Sequence, residues 1–203
     1  MITEVIFDVE TQKLFSEIED FDPANLGISI VSLYVRTVND AQEEIAGRMY
    51  SFWEHELADM WKHFSGAQRI IGFNTVKFDI PALKNYSPTG FEQLPHFDIM
   101  KLVRENLGFS LSLNHLAGQT LGEHKADVGT NAVEYWKKRD QESLAKLKFY
   151  CEADVTLTRN LYDYGVKQKH LKYLDKWNNP KEIPVDFSYP QSVIDASRQI
   201  GLF

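Results

Sequence analysis

Cysteine is almost missing from this 203-residue sequence, where Cys151 is the only one. A lone thiol excludes an internal disulfide and any zinc site built on two or more thiolates. Its ordinary role is that of a small buried apolar side chain. Long apolar runs are missing too: the longest, Leu26 to Val35, is broken by Ser29 and Ser32 and falls far short of the ~20 residues that a membrane span requires. The six histidines form no HExxH, and no GxxxxGKS/T occurs, which leaves zinc hydrolase and nucleotide kinase readings without support. Met1-Ile2-Thr3-Glu4 lacks the basic start and small-residue cleavage site of a signal peptide, so a cytoplasmic location without membrane attachment is expected.

Positive charge is also in short supply. Against 29 Asp and Glu there are 22 Lys and Arg, for a net charge of −7. A protein that grips duplex DNA through a broad basic face needs many contacts from Lys and Arg to phosphate, and this balance argues against that mode. It does not argue against a nuclease, because carboxylates that bind divalent cations add formal charge which the metal neutralises. The length suits one well-buried domain better than two. We expect a domain over residues 1–170 and a C-terminal extension, 171–203, packed on it or extending from it. No internal repeat or low-complexity segment is present.

Strand-like segments come first: Val5 to Phe7 ending at Asp8, Gly27 to Arg36, and Met49 to Trp53, the last two rich in β-branched and aromatic residues. Leu57, Met60, Trp61 and Phe64 share one helical face and predict a single helix over Glu54 to Phe64. Arg69 to Phe73 reads as a buried strand, followed by a turn at Asn74 and Thr75 and a helix from about Ile80 to Asn85, with a short strand at His96 to Ile99. Helical patterns follow near Ile99 to Leu107, Ser112 to Gly118, Gly129 to Arg139, and Glu142 to Lys169. One edge strand or extended arm is expected around Ile183 to Phe187, among Pro180, Pro184 and Pro190. This order favours an α/β domain, a mixed sheet flanked by helices.

Asp8-Val9-Glu10 closes the first strand, and residues two apart on a strand face the same side. Asp140-Gln141-Glu142 has the same spacing, but it stands in a polar stretch at a helix start, where acids cap free N–H groups. Asp8 and Glu10 end an apolar run instead, where adjacent carboxylates repel unless a cation holds them. Asp79 sits at a strand-to-helix junction, where it would serve equally as a helix cap. In the last helix Tyr150 and Asp154 are four residues apart, hence on one face, and the neighbouring Leu144, Leu147, Cys151 and Leu161 turn that side to the core. Glu152 points elsewhere. A buried Asp154 needs a partner, and a structural ion pair would also meet that need.

Together these segments resemble the DEDD superfamily of 3′–5′ exonucleases in its tyrosine subclass, the group of B-type polymerase proofreading domains and of helicase-associated and ribonuclease D-type nucleases. The first motif, DxET, is present as Asp8-Val9-Glu10-Thr11; the second as Asn74, Phe78 and Asp79; the third, YxxxD, as Tyr150 and Asp154. No other tyrosine has Asp four residues on, and the histidine subclass is not matched, since His124 has Val128 at the required place. Leu111 to Lys125 is similar to the segment that joins the second and third motifs in some members.

The resemblance implies a ribonuclease H-like sheet and two divalent metal ions, Mg²⁺ or Mn²⁺, about 4 Å apart. Asp8 would bridge them, Glu10 and Asp154 would complete one, and Asp79 would support the other. Tyr150 would orient the attacking water, since a phenol with a pKa of about 10 is a poor base at neutral pH. Thr11, Asn74, Phe78 and Lys125 are expected at the substrate. Phe15 and Phe73 join Phe78 as candidates for stacking on bases, and Lys77, Lys84, Lys101 and Arg104 as further cations near phosphate. The expected substrate is a single-stranded 3′ end of DNA or RNA. A helicase or polymerase partner is compatible with the resemblance, but no residue demands one. A catalytically silent binding module and a ribonuclease H-like endonuclease are the alternatives.

Overall fold

The computed structural model describes residues 1–124 and 129–200. Its first strand, β1 (Ile2–Thr11), is central in a five-stranded sheet. β2 (Ile28–Val38) and β3 (Glu44–Trp53) extend one side as an antiparallel meander, while β4 (Arg69–Gly72) and β5 (His96–Asp98) add to the other side in parallel. The order β3-β2-β1-β4-β5 is therefore a mixed sheet, as expected. Alternation along β1 directs Val5, Phe7 and Val9 to one face, where they pack with Leu57, Met60, Phe64 and Phe91. Ile6 faces the other side, among Ile71, Val103, Leu116, Val155 and Leu161.

The helical segments between β3 and β5 are shorter than expected. The helix over Glu54 to Phe64 is three short pieces: a 3-10 turn at Glu54–Glu56, α1 (Leu57–Met60), and another 3-10 turn at Trp61–His63. Spacings of three bury residues on a 3-10 turn as well as on an α-helix, so Leu57, Met60 and Phe64 are buried either way. α2 (Asp79–Ala82) is likewise a single turn. α3 (Ile99–Leu107), α4 (Leu113–Leu121), α5 (Gly129–Lys138) and α6 (Gln141–Gln168) follow. α6 is capped by Asp140, which accepts from Ser143 N at 2.8 Å, the capping role anticipated for the second DxE.

The tail differs as well. Instead of one edge strand it forms a hairpin, β6 (His170–Leu174) and β7 (Pro180–Pro184), and then α7 (Gln191–Ile200). The turn is made by local chemistry: Asp175 accepts from Trp177 N and Asn179 N, both at 2.9 Å, and Asn178 takes a positive φ of 61°. Leu171, Ile183, Val185 and Phe187 join the core under α3, α4 and α6. Gly165 admits the Phe187 ring, because a Cβ there would lie 2.2 Å from it.

A buried ionic network ties the tail to the sheet. Glu4 is fully buried and accepts from Arg36 Nε at 2.6 Å and Tyr189 Oη at 2.6 Å. Arg36 also pairs with Asp163 on α6 at 2.6 Å. Burial alone would lower the Arg36 pKa, but the hydrogen bonds and charges of Asp163 and Glu4 outweigh it and raise it. Arg69 donates to Tyr162 Oη at 2.6 Å and to the carbonyls of Phe187 and Ser188, and it lies 3.8 Å over the Tyr189 ring. No helix among the described residues is long and apolar enough to cross a membrane.

Candidate active site

β1 pairs with β4 only over Glu4 to Ile6, so its later residues run on beyond the end of that neighbour. A cleft of ≈ 460 Å³ opens there, lined by Asp8, Glu10, Asp79, Tyr150 and Asp154 among others. The two-residue period of β1 turns Asp8 and Glu10 to the face that α6 covers. On α6 the spacing of Leu147, Tyr150, Cys151, Asp154, Val155, Thr158 and Leu161 gives one continuous buried face. Tyr150 and Asp154 therefore arrive opposite Asp8 and Glu10, whereas Glu152 accepts from Ser51 Oγ on β3 at 2.6 Å.

Ligand atoms of Asp8, Glu10 and Asp154 all lie within 4.8 Å of one another. Asp8 is partly exposed, while Glu10 is 9% and Asp154 2% exposed. Asp79 is fourth. It begins α2, and its Oδ1 accepts from Val9 N at 3.1 Å, the peptide between Asp8 and Glu10, rather than capping its own helix. Cys151 lies among these groups: its thiol donates to the Asp8 carbonyl at 3.6 Å and stands 4.0 Å from Asp8 Oδ2. Burial first, and then the negative charges of Asp8 and Glu10, push that thiol well above its ordinary range. An all-oxygen donor set at this spacing fits a hard divalent cation, which would relieve the repulsion among the carboxylates.

The segment that delivers Asp79 is held by a residue that the sequence did not point to. Asp98, buried at the end of β5, accepts from Asn74 N at 2.9 Å, Val76 N at 3.0 Å and Lys101 N at 3.0 Å. It thus caps α3 and fixes the Asn74 turn with one carboxylate. An Asp at a strand-to-helix junction was the available signal, the same one that marked Asp79. Asn74 itself has φ of 69°, and its carbonyl accepts from Lys77 N and Phe78 N. Asn74 shapes the turn and is not among the residues that line the cleft.

Thr11, Phe15, Phe73 and Phe78 do line the cleft. Thr11 donates to the Lys13 carbonyl at 2.9 Å, and Phe15 meets Phe78 edge-on with centroids 6.0 Å apart. Among the cations, none of Lys77, Lys84, Lys101 and Arg104 lines it, whereas Lys13, three residues after Glu10, does. The β-bulge at Glu10 and Thr11 ends the regular strand and brings the following loop over the opening. Lys125 lies outside the described residues.

A comparison with curated proteins found no match. Among solved structures the chain is similar to the family B DNA polymerase from the hyperthermophilic archaeon Pyrobaculum calidifontis, with a TM-score of 0.59 and 17% identity over 82% of this chain. The chain spans 25% of that polymerase's length, and at this identity the likeness bears on the fold. The family model RNase_H_2, described as RNase_H superfamily, matches residues 5–166. That match runs from the middle of β1 almost to the end of α6, taking in both elements whose carboxylates meet, and by it the chain belongs to the RNase H superfamily.

Proposed function

We propose that this protein is a metal-dependent 3′–5′ exonuclease of the tyrosine subclass, acting on single-stranded nucleic acid. The observation that carries this reading is the convergence of Asp8, Glu10 and Asp154 within 4.8 Å, with Asp79 bonded to the peptide that joins the first two. Asp8, Glu10, Asp154 and Asp79 would hold one or two Mg²⁺ or Mn²⁺ ions. Bound there, such ions would supply Lewis-acid stabilisation of the phosphoryl oxygens and a nucleophilic water at neutral pH.

The remaining work falls to the chain's own groups. Tyr150, buried and on the cleft wall, offers its phenol as a hydrogen-bond donor that orients the water. Phe15 and Phe78 present rings on which terminal bases would stack, and Lys13 would meet a phosphate. A net charge of −7 suits a frayed single strand entering a cleft better than a gripped duplex. Thr11 would contact the substrate from the same wall.

The test is release of mononucleotides from a 5′-labelled single strand with Mn²⁺, beside Asp8→Ala and Asp154→Ala. Stepwise shortening from the 3′ end, lost in both variants, is expected. Cleavage of a circular single strand would make the enzyme an endonuclease instead, and binding without hydrolysis by the unmodified chain would make it a silent module.

A further inference from the structure

A second groove, of ≈ 730 Å³, lies where the tip of the β6–β7 hairpin meets the loop after α3. It shares no lining residue with the catalytic cleft. Phe109 follows α3, whose opposite end at Asp98 holds the Asn74 turn. The nine-residue helix, roughly 13 Å long, thus runs between the groove and the turn that leads to Asp79.

The groove is aromatic and basic. Trp177 is 70% exposed and Phe109 49% exposed, and Phe109 meets Tyr173 edge-on at 6.4 Å. Lys176 Nζ stands 4.3 Å from the Trp177 ring, and Lys181 lies on the same wall. In a chain of net charge −7, residues 167–182 carry five lysines against only Asp175 and Glu182. Asp175 is turned inward as well: its carboxylate holds the hairpin turn through Trp177 N, Asn179 N and Asn179 Nδ2, and those bonds depress its pKa.

The turn uses only the backbone N–H of residue 177, which nearly any side chain would leave intact. An indole held in water at that point is not explained by folding. Flat exposed rings beside lysine charge are what a single-stranded polyanion with stacked bases requires. We propose that this groove is a second binding site for single-stranded nucleic acid, with bases on Trp177 and Phe109 and phosphates at Lys176 and Lys181. It rests on the reading of the protein as one that acts on nucleic acid, and it adds a place where the strand is held apart from where it is cut.

The test uses the whole chain in EDTA, where the metal-free carboxylates of the cleft repel phosphate. Fluorescence anisotropy follows a labelled oligothymidylate of about a dozen nucleotides against the unmodified protein, Trp177→Ala, and a Lys176→Glu, Lys181→Glu double variant. Trp177→Ala should weaken binding about tenfold, and the double variant should flatten the dependence of affinity on salt. Both should melt with the unmodified protein and hydrolyse a trinucleotide in Mn²⁺ at its rate. Equal oligonucleotide affinity in all three proteins, or none in the unmodified one, overturns the proposal and leaves the groove to a protein partner. Failure of the trinucleotide hydrolysis instead sinks the nuclease reading, since the EDTA measurement involves no cutting.

Discussion

Replacing Asp154 by Asn should stabilise the metal-free protein while abolishing its activity. Two unit charges 4.8 Å apart repel by about 3.5 kcal/mol at an effective dielectric near 20. Asp154 takes part in two of the three pairs made with Asp8 and Glu10. Those two partners are less deeply buried, and water screens them, so a net relief of about 2 kcal/mol is the reasonable expectation. Asn keeps the shape and an acceptor oxygen, which limits any packing cost. For a chain of this size about 2 kcal/mol corresponds to roughly 4–8 °C in Tm. The assay is thermal melting in EDTA and again in Mn²⁺. A cation at a hundred times its Kd adds about 2.7 kcal/mol to the form that binds it, so Mn²⁺ should raise the unmodified protein's Tm by a similar span and the variant's much less. The ranking of the two proteins should then narrow or reverse. Should Asp154→Asn melt several degrees lower in EDTA, or should Mn²⁺ leave the unmodified protein's Tm unchanged, mutual repulsion relieved by a cation is the wrong account of this cluster.

Asp98→Ala removes three backbone N–H contacts from the turn that delivers Asp79. It should cost about 2–4 kcal/mol in urea unfolding and lower kcat more than it raises KM. Glu4→Gln leaves Arg36 facing a neutral partner in the interior, and a loss of about 3 kcal/mol is expected by the same measurement, with little change in kcat where the protein is folded. The phenols of Tyr162 and Tyr189 are raised, first by burial and then by the Glu4 charge, so their native pKa values exceed the unfolded value near 10. Their contribution is full below about pH 10 and is lost as pH rises through the native values, so urea midpoints should fall above about pH 10, and less steeply in Tyr189→Phe. Gly165→Ala sets a methyl against the Phe187 ring and should cost about 1–3 kcal/mol by melting, without altering hydrolysis.

What the sequence could and could not reveal here divides by range. Asp8 with Glu10, and Tyr150 with Asp154, are pairs set by the local repeat of a strand and of a helix, and burial of the α6 face follows from leucines a few residues away. The antiparallel meander and the mixed character of the sheet follow from local strand and turn patterns, which also act over a few positions. Asp98 and Lys13 escaped because their roles depend on what lies opposite them after folding. Asp98 is one more Asp at a strand end until the Asn74 turn arrives 24 residues away in sequence. Lys13 is one more surface lysine until a bulge at Glu10 and Thr11 ends β1 and brings the following loop to the cleft. Lys84 and Lys101, by contrast, follow α2 and sit on α3, and neither lines the cleft.

The tail repeats this lesson from the other side. Three prolines suggested an arm, but Pro180 sits at the first position of β7 and Pro184 at the last, where a missing N–H does least harm to a short edge ladder. What fixes the hairpin is Asp175, through two backbone bonds no longer than 2.9 Å. What docks the tail is Glu4, from β1, which accepts from Tyr189 across 185 residues of sequence. β1 thus spends the two ends of one face on opposite tasks. At Glu4 a buried carboxylate is satisfied by Arg36 and Tyr189 and holds the structure; at Asp8 and Glu10 two carboxylates meet a third, Asp154, within 4.8 Å, an arrangement that calls for a cation.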